Sequence, residues 1–135
     1  MAITQKIRVA RLYKDFDMAF GKNSLSGDIN KKLDVNAVKQ SIKTLLLSKP
    51  YERPFHPELG SRLYGMLFEP MRPGLETSLK FAITQQLENY EPRVELTRVE
   101  VKPQYDRNEY DVSIHFFIKG INEPQGLQMS LTRLR

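Results

Sequence analysis

The spacing of the apolar residues switches near Pro92, and that switch limits the folds open to the chain. Upstream, Leu75, Leu79, Ala82, Ile83, Leu87 and Tyr90 recur at i, i+4, i+7 and i+8, with one polar lapse at Gln86, which predicts a helix over 75–90. Downstream the period falls to two. Val99 and Val101 alternate with Glu100 and Lys102, and Tyr110, Val112, Ile114, Phe116 and Ile118 alternate with charged or small residues, the pattern of half-buried strands. Asp106-Arg107-Asn108 reads as one hairpin turn. Asn122-Glu123-Pro124-Gln125-Gly126 reads as a second, leading into Leu127, Met129 and Leu131 on one face.

Two further helices precede this region. Asp34 is a good N-cap, and Val35, Val38, Ile42, Leu45 and Leu46 make one helical face over 35–48, stopped by Pro50. Ser61 is placed to cap a short helix carrying Leu63 and Leu67, ended by Pro70, Pro73 and Gly74. Between them, residues 50–60 hold three prolines and a glycine, so this is a specified loop. In it Phe55 is expected to plug the core, and Gly60 to take a backbone angle that other residues avoid. The sum is an α+β fold: three helices on one face of a small antiparallel β-meander. Residues 1–33, with the alternation Ile7, Val9, Arg11, Tyr13 and a turn-rich stretch over 21–28, read as an extended basic arm and loop; residues 34–135 read as a single domain.

Charge is distributed unevenly. Residues 1–49 hold 10 Lys and Arg against 4 Asp and Glu, and residues 50–135 hold 11 against 12, so the whole excess of +5 is N-terminal. Such an arm suits nucleic acid, an anionic surface or an acidic protein. A nucleic-acid reading would use Lys6, Arg8, Arg11, Lys14, Lys22, Lys31 and Lys32 with Tyr13 and Phe16 as stacking residues, but these form no compact cluster or recognised module.

Chemistry is constrained by what the chain lacks. With 0 cysteines it has no disulfide, thiolate nucleophile or cysteine-based zinc site, and its two histidines, His56 and His115, have no HExxH spacing. The scattered glycines make no phosphate loop, and no GxSxG elbow is present. No metal or cofactor is expected. A peptidoglycan-cleaving carboxylate pair is an alternative reading, with Glu58 and Glu91 as candidates, yet each lies near an arginine, which lowers a carboxyl pKa and so disfavours a general acid. The longest apolar runs, such as Leu45-Leu46-Leu47, fall far short of the roughly 20 residues of a membrane span. Residues 1–14 have no signal-peptide pattern, so synthesis and retention in a cytoplasm are expected.

Two motifs are more specific. Arg53-Pro54-Phe55-His56-Pro57-Glu58-Leu59-Gly60, followed by Leu67-Phe68-Glu69 and Met71, resembles the gene-product-25-like baseplate wedge proteins of contractile phage tails; Asn89-Tyr90-Glu91-Pro92-Arg93 falls where that family carries a Glu-Pro-Arg signature at the end of its long helix. The resemblance covers residues 34–132. Its fold is shared with a baseplate component of type VI secretion systems and with a stress-response anti-adaptor, so fold alone does not fix function. The resemblance implies a non-enzymatic virion protein of the tail baseplate, assembled in the host cytoplasm, whose partners are other wedge proteins and the tail sheath protein. It also implies that Glu91, Pro92 and Arg93 hold the helical core bundle of neighbouring wedge subunits; from the loop, Arg53 and Glu58 are read as further partner contacts. A sheet edge, here assigned to Leu127, Met129 and Leu131, would pair with sheath strands.

Overall fold

The structure is a computed structural model describing residues 12–134. Its contacts divide the chain into two compact units, one ending at Ala37 and one beginning at Val38.

In the N-terminal unit, β1 (Lys14–Phe16) pairs antiparallel with β2 (Lys31–Leu33), Lys14 opposite Leu33 and Phe16 opposite Lys31. The described part of the arm is therefore extended but doubles back on itself. Asn23 organises the return: its Oδ1 accepts from the N–H groups of Leu25 (2.9 Å) and Ser26 (3.3 Å), and Gly27 adopts φ 71°. Asp34 joins the start of the hairpin to its end. Its Oδ1 accepts from the Leu12 and Tyr13 N–H groups at 2.9 and 3.3 Å, and its own N–H donates to the Tyr13 carbonyl at 2.8 Å. Lys32 pairs with Asp17 at 3.5 Å, so the basic character is interleaved with acid here. Ile7, Val9 and the basic residues Lys6, Arg8 and Arg11 lie outside the described residues.

Helix α1 (Asp34–Leu47) has its last residues in the second unit, where Val38, Ile42, Leu45 and Leu46 are buried. Ser48 closes it, donating from Oγ (2.7 Å) and N–H (3.0 Å) to the Thr44 carbonyl before Pro50 prevents continuation. Helix α2 (Leu63–Leu67) has Arg62, not Ser61, at its N-cap and no side-chain cap; Ser61 lies one residue earlier, where its Oγ accepts from the Leu63 N–H at 3.1 Å. Helix α3 (Leu75–Tyr90) begins after Gly74, whose φ of 98° suits glycine alone, and buries a stripe at every fourth residue: Leu75, Leu79, Ile83 and Leu87.

Strands β3 (Val94–Gln104), β4 (Glu109–Ile118) and β5 (Ile121–Thr132) form an antiparallel sheet in that order. Central β4 buries Tyr110, Val112, Ile114, Phe116 and Ile118, of which the aliphatic and phenyl side chains each stabilise the fold by roughly 1.5–3 kcal/mol relative to exposure. The turn at 106–108 is as read from sequence, with Asn108 at φ 53°. The second turn is not. Ile118 pairs with Ile121 across Lys119-Gly120, with Gly120 at φ 89°, while residues 122–126 run inside β5. Pro124 and Gly126 look like turn residues in sequence, but an edge strand tolerates both, and the register breaks opposite Phe117 where Pro124 sits.

Candidate docking surfaces

The end of α3 builds the first surface. The Glu91 N–H donates to the Leu87 carbonyl at 2.9 Å, completing the last helical turn, and Pro92 then diverts the chain into β3. The Glu91 side chain turns inward and is 3% exposed. Its Oε1 accepts from Arg93 Nε at 2.6 Å, and its Oε2 from Arg93 Nη2 at 2.9 Å and Ser41 Oγ at 2.7 Å. Burial opposes its ionisation, but the hydrogen bonds from Arg93 and Ser41 and the Arg93 charge outweigh it, so the carboxyl is held below its ordinary 4.5. In the isolated chain Glu91 therefore orients Arg93. Arg93, with 31% of its side chain exposed, is the member that reaches the surface. Ser41, which the sequence does not single out, is half-buried beside Ile42 on α1, and its hydroxyl finds its partner in Glu91.

The proline-rich loop closes on itself. Ser61 N–H donates to the Ser48 carbonyl at 2.9 Å, Tyr51 N–H to the Pro57 carbonyl at 3.1 Å, and Lys49 N–H to Glu52 Oε2 at 2.8 Å. Two expectations fail here. Phe55 does not plug the core: it is 96% exposed at φ 70°, because the closed loop turns its tip outward. Gly60 is required for space and not for its backbone angle, since a Cβ there would lie 2.3 Å from the Pro50 nitrogen. Arg53 is half-buried on this loop. Glu58 is exposed and meets His56 Nδ1 at 3.1 Å; its own backbone N–H and His56 hold its carboxyl low. Neither Glu58 nor Glu91 therefore has the raised pKa of a general acid.

The third surface is the border of the sheet. Arg133 N–H donates to the Asn108 carbonyl at 2.8 Å, toward β4. Antiparallel alternation then turns the N–H and C=O groups of Gly126, Gln128, Ser130 and Thr132 to the open side of β5. Leu127 and Met129 are half-buried on the helix side of the sheet, and Leu131, 3% exposed, belongs to the core with its backbone groups turned to β4, so it has no free backbone group to offer a partner. Residues 125–132 contain no charge. The opposite border differs: β3 carries Glu95, Arg98, Glu100 and Lys102, a bulge after Leu96, and Pro103. Arg98 and Lys102 both approach Glu100, at 2.6 and 4.0 Å.

Among the described residues no cluster of three or more His, Asp or Glu is arranged to hold a metal, and no helix is long and apolar enough to cross a membrane. A family model described as baseplate wedge protein gp25 matches residues 33–123. The baseplate wedge protein gp25 of Enterobacteria phage T4 is 31% identical over 120 residues, spanning 89% of this chain and 89% of that protein. Among solved structures, a candidate tail lysozyme from Geobacter sulfurreducens superposes with a TM-score of 0.67 at 19% identity over 73% of this chain and 89% of that one. A chain of the anti-feeding prophage baseplate gives 0.62 at 17% over 91% and 87%, and one of the postcontracted pyocin R2 baseplate 0.52 at 22% over 83% and 96%. At these identities the structural likenesses establish the fold alone.

Proposed function

The chain belongs to the baseplate wedge protein gp25 family, and from that premise we propose that it is a non-enzymatic subunit of a contractile tail baseplate with two working surfaces. Through Arg93, oriented by Glu91 and presented beyond Pro92, it grips neighbouring wedge subunits, a planar guanidinium being suited to a carboxylate or to the carbonyls at a helix end. Arg53 and Glu58 add contacts from the closed loop. Through β5 it receives an extended segment of the tail sheath protein and so starts the sheath.

The observation that carries this reading is the uncharged border at residues 125–132, with four residues turning their backbone polar groups outward. Soluble proteins protect such borders with charges, prolines and bulges, and β3 has all three. An unprotected border is a template for another strand. Gln128→Pro with Ser130→Pro removes two outward donors without touching the ladder to β4, so the domain still folds. Particles assembled with this variant are expected to carry baseplates without a sheath in electron micrographs; normal sheaths would refute the reading. The enzymatic alternative is tested by turbidity of a peptidoglycan suspension, which the purified chain is expected to leave unchanged.

A further inference from the structure

We infer that the strand accepted by β5 must carry one bulky apolar side chain, which seats in a pocket between the β5 border and helices α1 and α2; this specificity rests on the border reading above. The pocket has a volume of about 190 Å³ and is walled by Leu47 at the end of α1, Leu63 and Leu67 of α2, and Leu131 of β5. It contains no charged residue, and backbone groups of the border form part of its rim.

That last point follows from the register. Ser130 and Thr132 also line the pocket. Yet their side chains belong to the opposite face of the sheet: they pair with Asp111 and Glu109, and Ser130 Oγ donates to Glu109 Oε2 at 3.1 Å. They reach the helix-side pocket through their main chain, so it opens along the line where a new strand would lie. Apolar surface is left uncovered there: Leu47 is 38% exposed, and Leu127 and Met129 are only half-buried.

A strand added about 4.8 Å from β5 directs alternate side chains to the helix side, over Leu127, Met129 and this pocket. An apolar cavity of about 150 Å³ holds a benzene molecule, so the pocket suits one Leu, Ile or Phe. An ionised side chain would lose its water there and find no counter-charge. On the other face the incoming residues meet Gln128, Ser130 and Thr132, which favour polar partners. The partner segment is therefore an uncharged strand of alternating polar and apolar residues with one large apolar anchor.

The test uses fluorescein-labelled ten-residue peptides of alternating Thr and Val, with Leu, Ala or Asp placed in turn at each apolar position, titrated against the full chain by anisotropy. At one position only, Leu is expected to bind at least about tenfold more tightly than Ala, and Asp not at all. Leu47→Lys, at a half-exposed helix end where a cation is tolerated, should remove that preference while keeping the fold by circular dichroism. Equal binding of Leu and Ala peptides, with Gln128→Pro/Ser130→Pro still abolishing both, overturns the pocket and spares the border. Peptide binding indifferent to the two prolines, or no binding by any peptide at millimolar concentration, overturns both.

Discussion

The two borders of the three-stranded sheet are made from the same backbone and differ in chemistry. On β3 the alternation turns Val99, Val101 and Pro103 to the open side, and Pro103 has no N–H to offer; four charged residues and a bulge complete the protection. On β5, residues 125–132 have neither charge nor proline, and Pro124 blunts only the end beside the hairpin turn. The contrast teaches that protection is local. It is absent where pairing is proposed to occur, and a border left open carries a standing risk of aggregation that only use would justify.

The comparison can be broken from the β3 side. Replacing Arg98, Glu100 and Lys102 together by Thr should leave β3 only its bulge and Pro103 as protection, and the expected outcome is more concentration-dependent self-association than the parent chain shows in size-exclusion chromatography with light scattering. A triple variant that stays monomeric would mean that charge is not what protects this border.

A second contrast lies between two side chains that the resemblance sets in signature motifs, buried Glu91 and exposed Phe55. Arg93→Ala strands the Glu91 carboxylate, and the expected loss is about 1–3 kcal/mol in urea unfolding, less than the roughly 3–5 kcal/mol of a fully buried pair because 31% of the Arg93 side chain is exposed. The pH dependence follows the same pair. The folded Glu91 carboxyl lies below its unfolded value, so its contribution is present above pH 4.5 and is lost as the pH falls through the lower folded value. Glu91→Gln should flatten this acid limb of the stability profile; an unchanged limb would show that Glu91 is not its source. Phe55→Ala should be the mildest change, within about 0.5 kcal/mol, since nothing is uncovered at a side chain already 96% exposed. A loss of 2 kcal/mol or more would restore Phe55 to a core role.

Periodicity made the central elements legible. The alternation from Tyr110 to Ile118 and the four-residue stripe of α3 each answer to one buried face, and such patterns survive any tertiary arrangement. Loops were harder, because their side chains answer to partners distant in sequence. Phe55 has the composition of a core residue, and only the closure of Ser48 to Ser61 turns it out. Gly60 is fixed by contact with Pro50, ten positions away in the chain. Residues 122–126 have turn composition but lie in a border strand, where proline and glycine do little harm. The Glu91–Arg93 pair was foreseeable as a motif. The inward turn of the Glu91 carboxylate was not, since Ser41 approaches it from α1.

Amide hydrogen exchange tests the difference between the borders most directly, comparing the free chain with the chain in sheathed particles. In the free chain the outward N–H groups of Gln128 and Ser130 should exchange quickly, and in the particle they should slow by roughly a hundredfold or more, while Val99 and Val101 on β3 stay as they were. Gln128 and Ser130 exchanging as fast in sheathed particles as in solution, or protection appearing on β3 instead, would contradict the account.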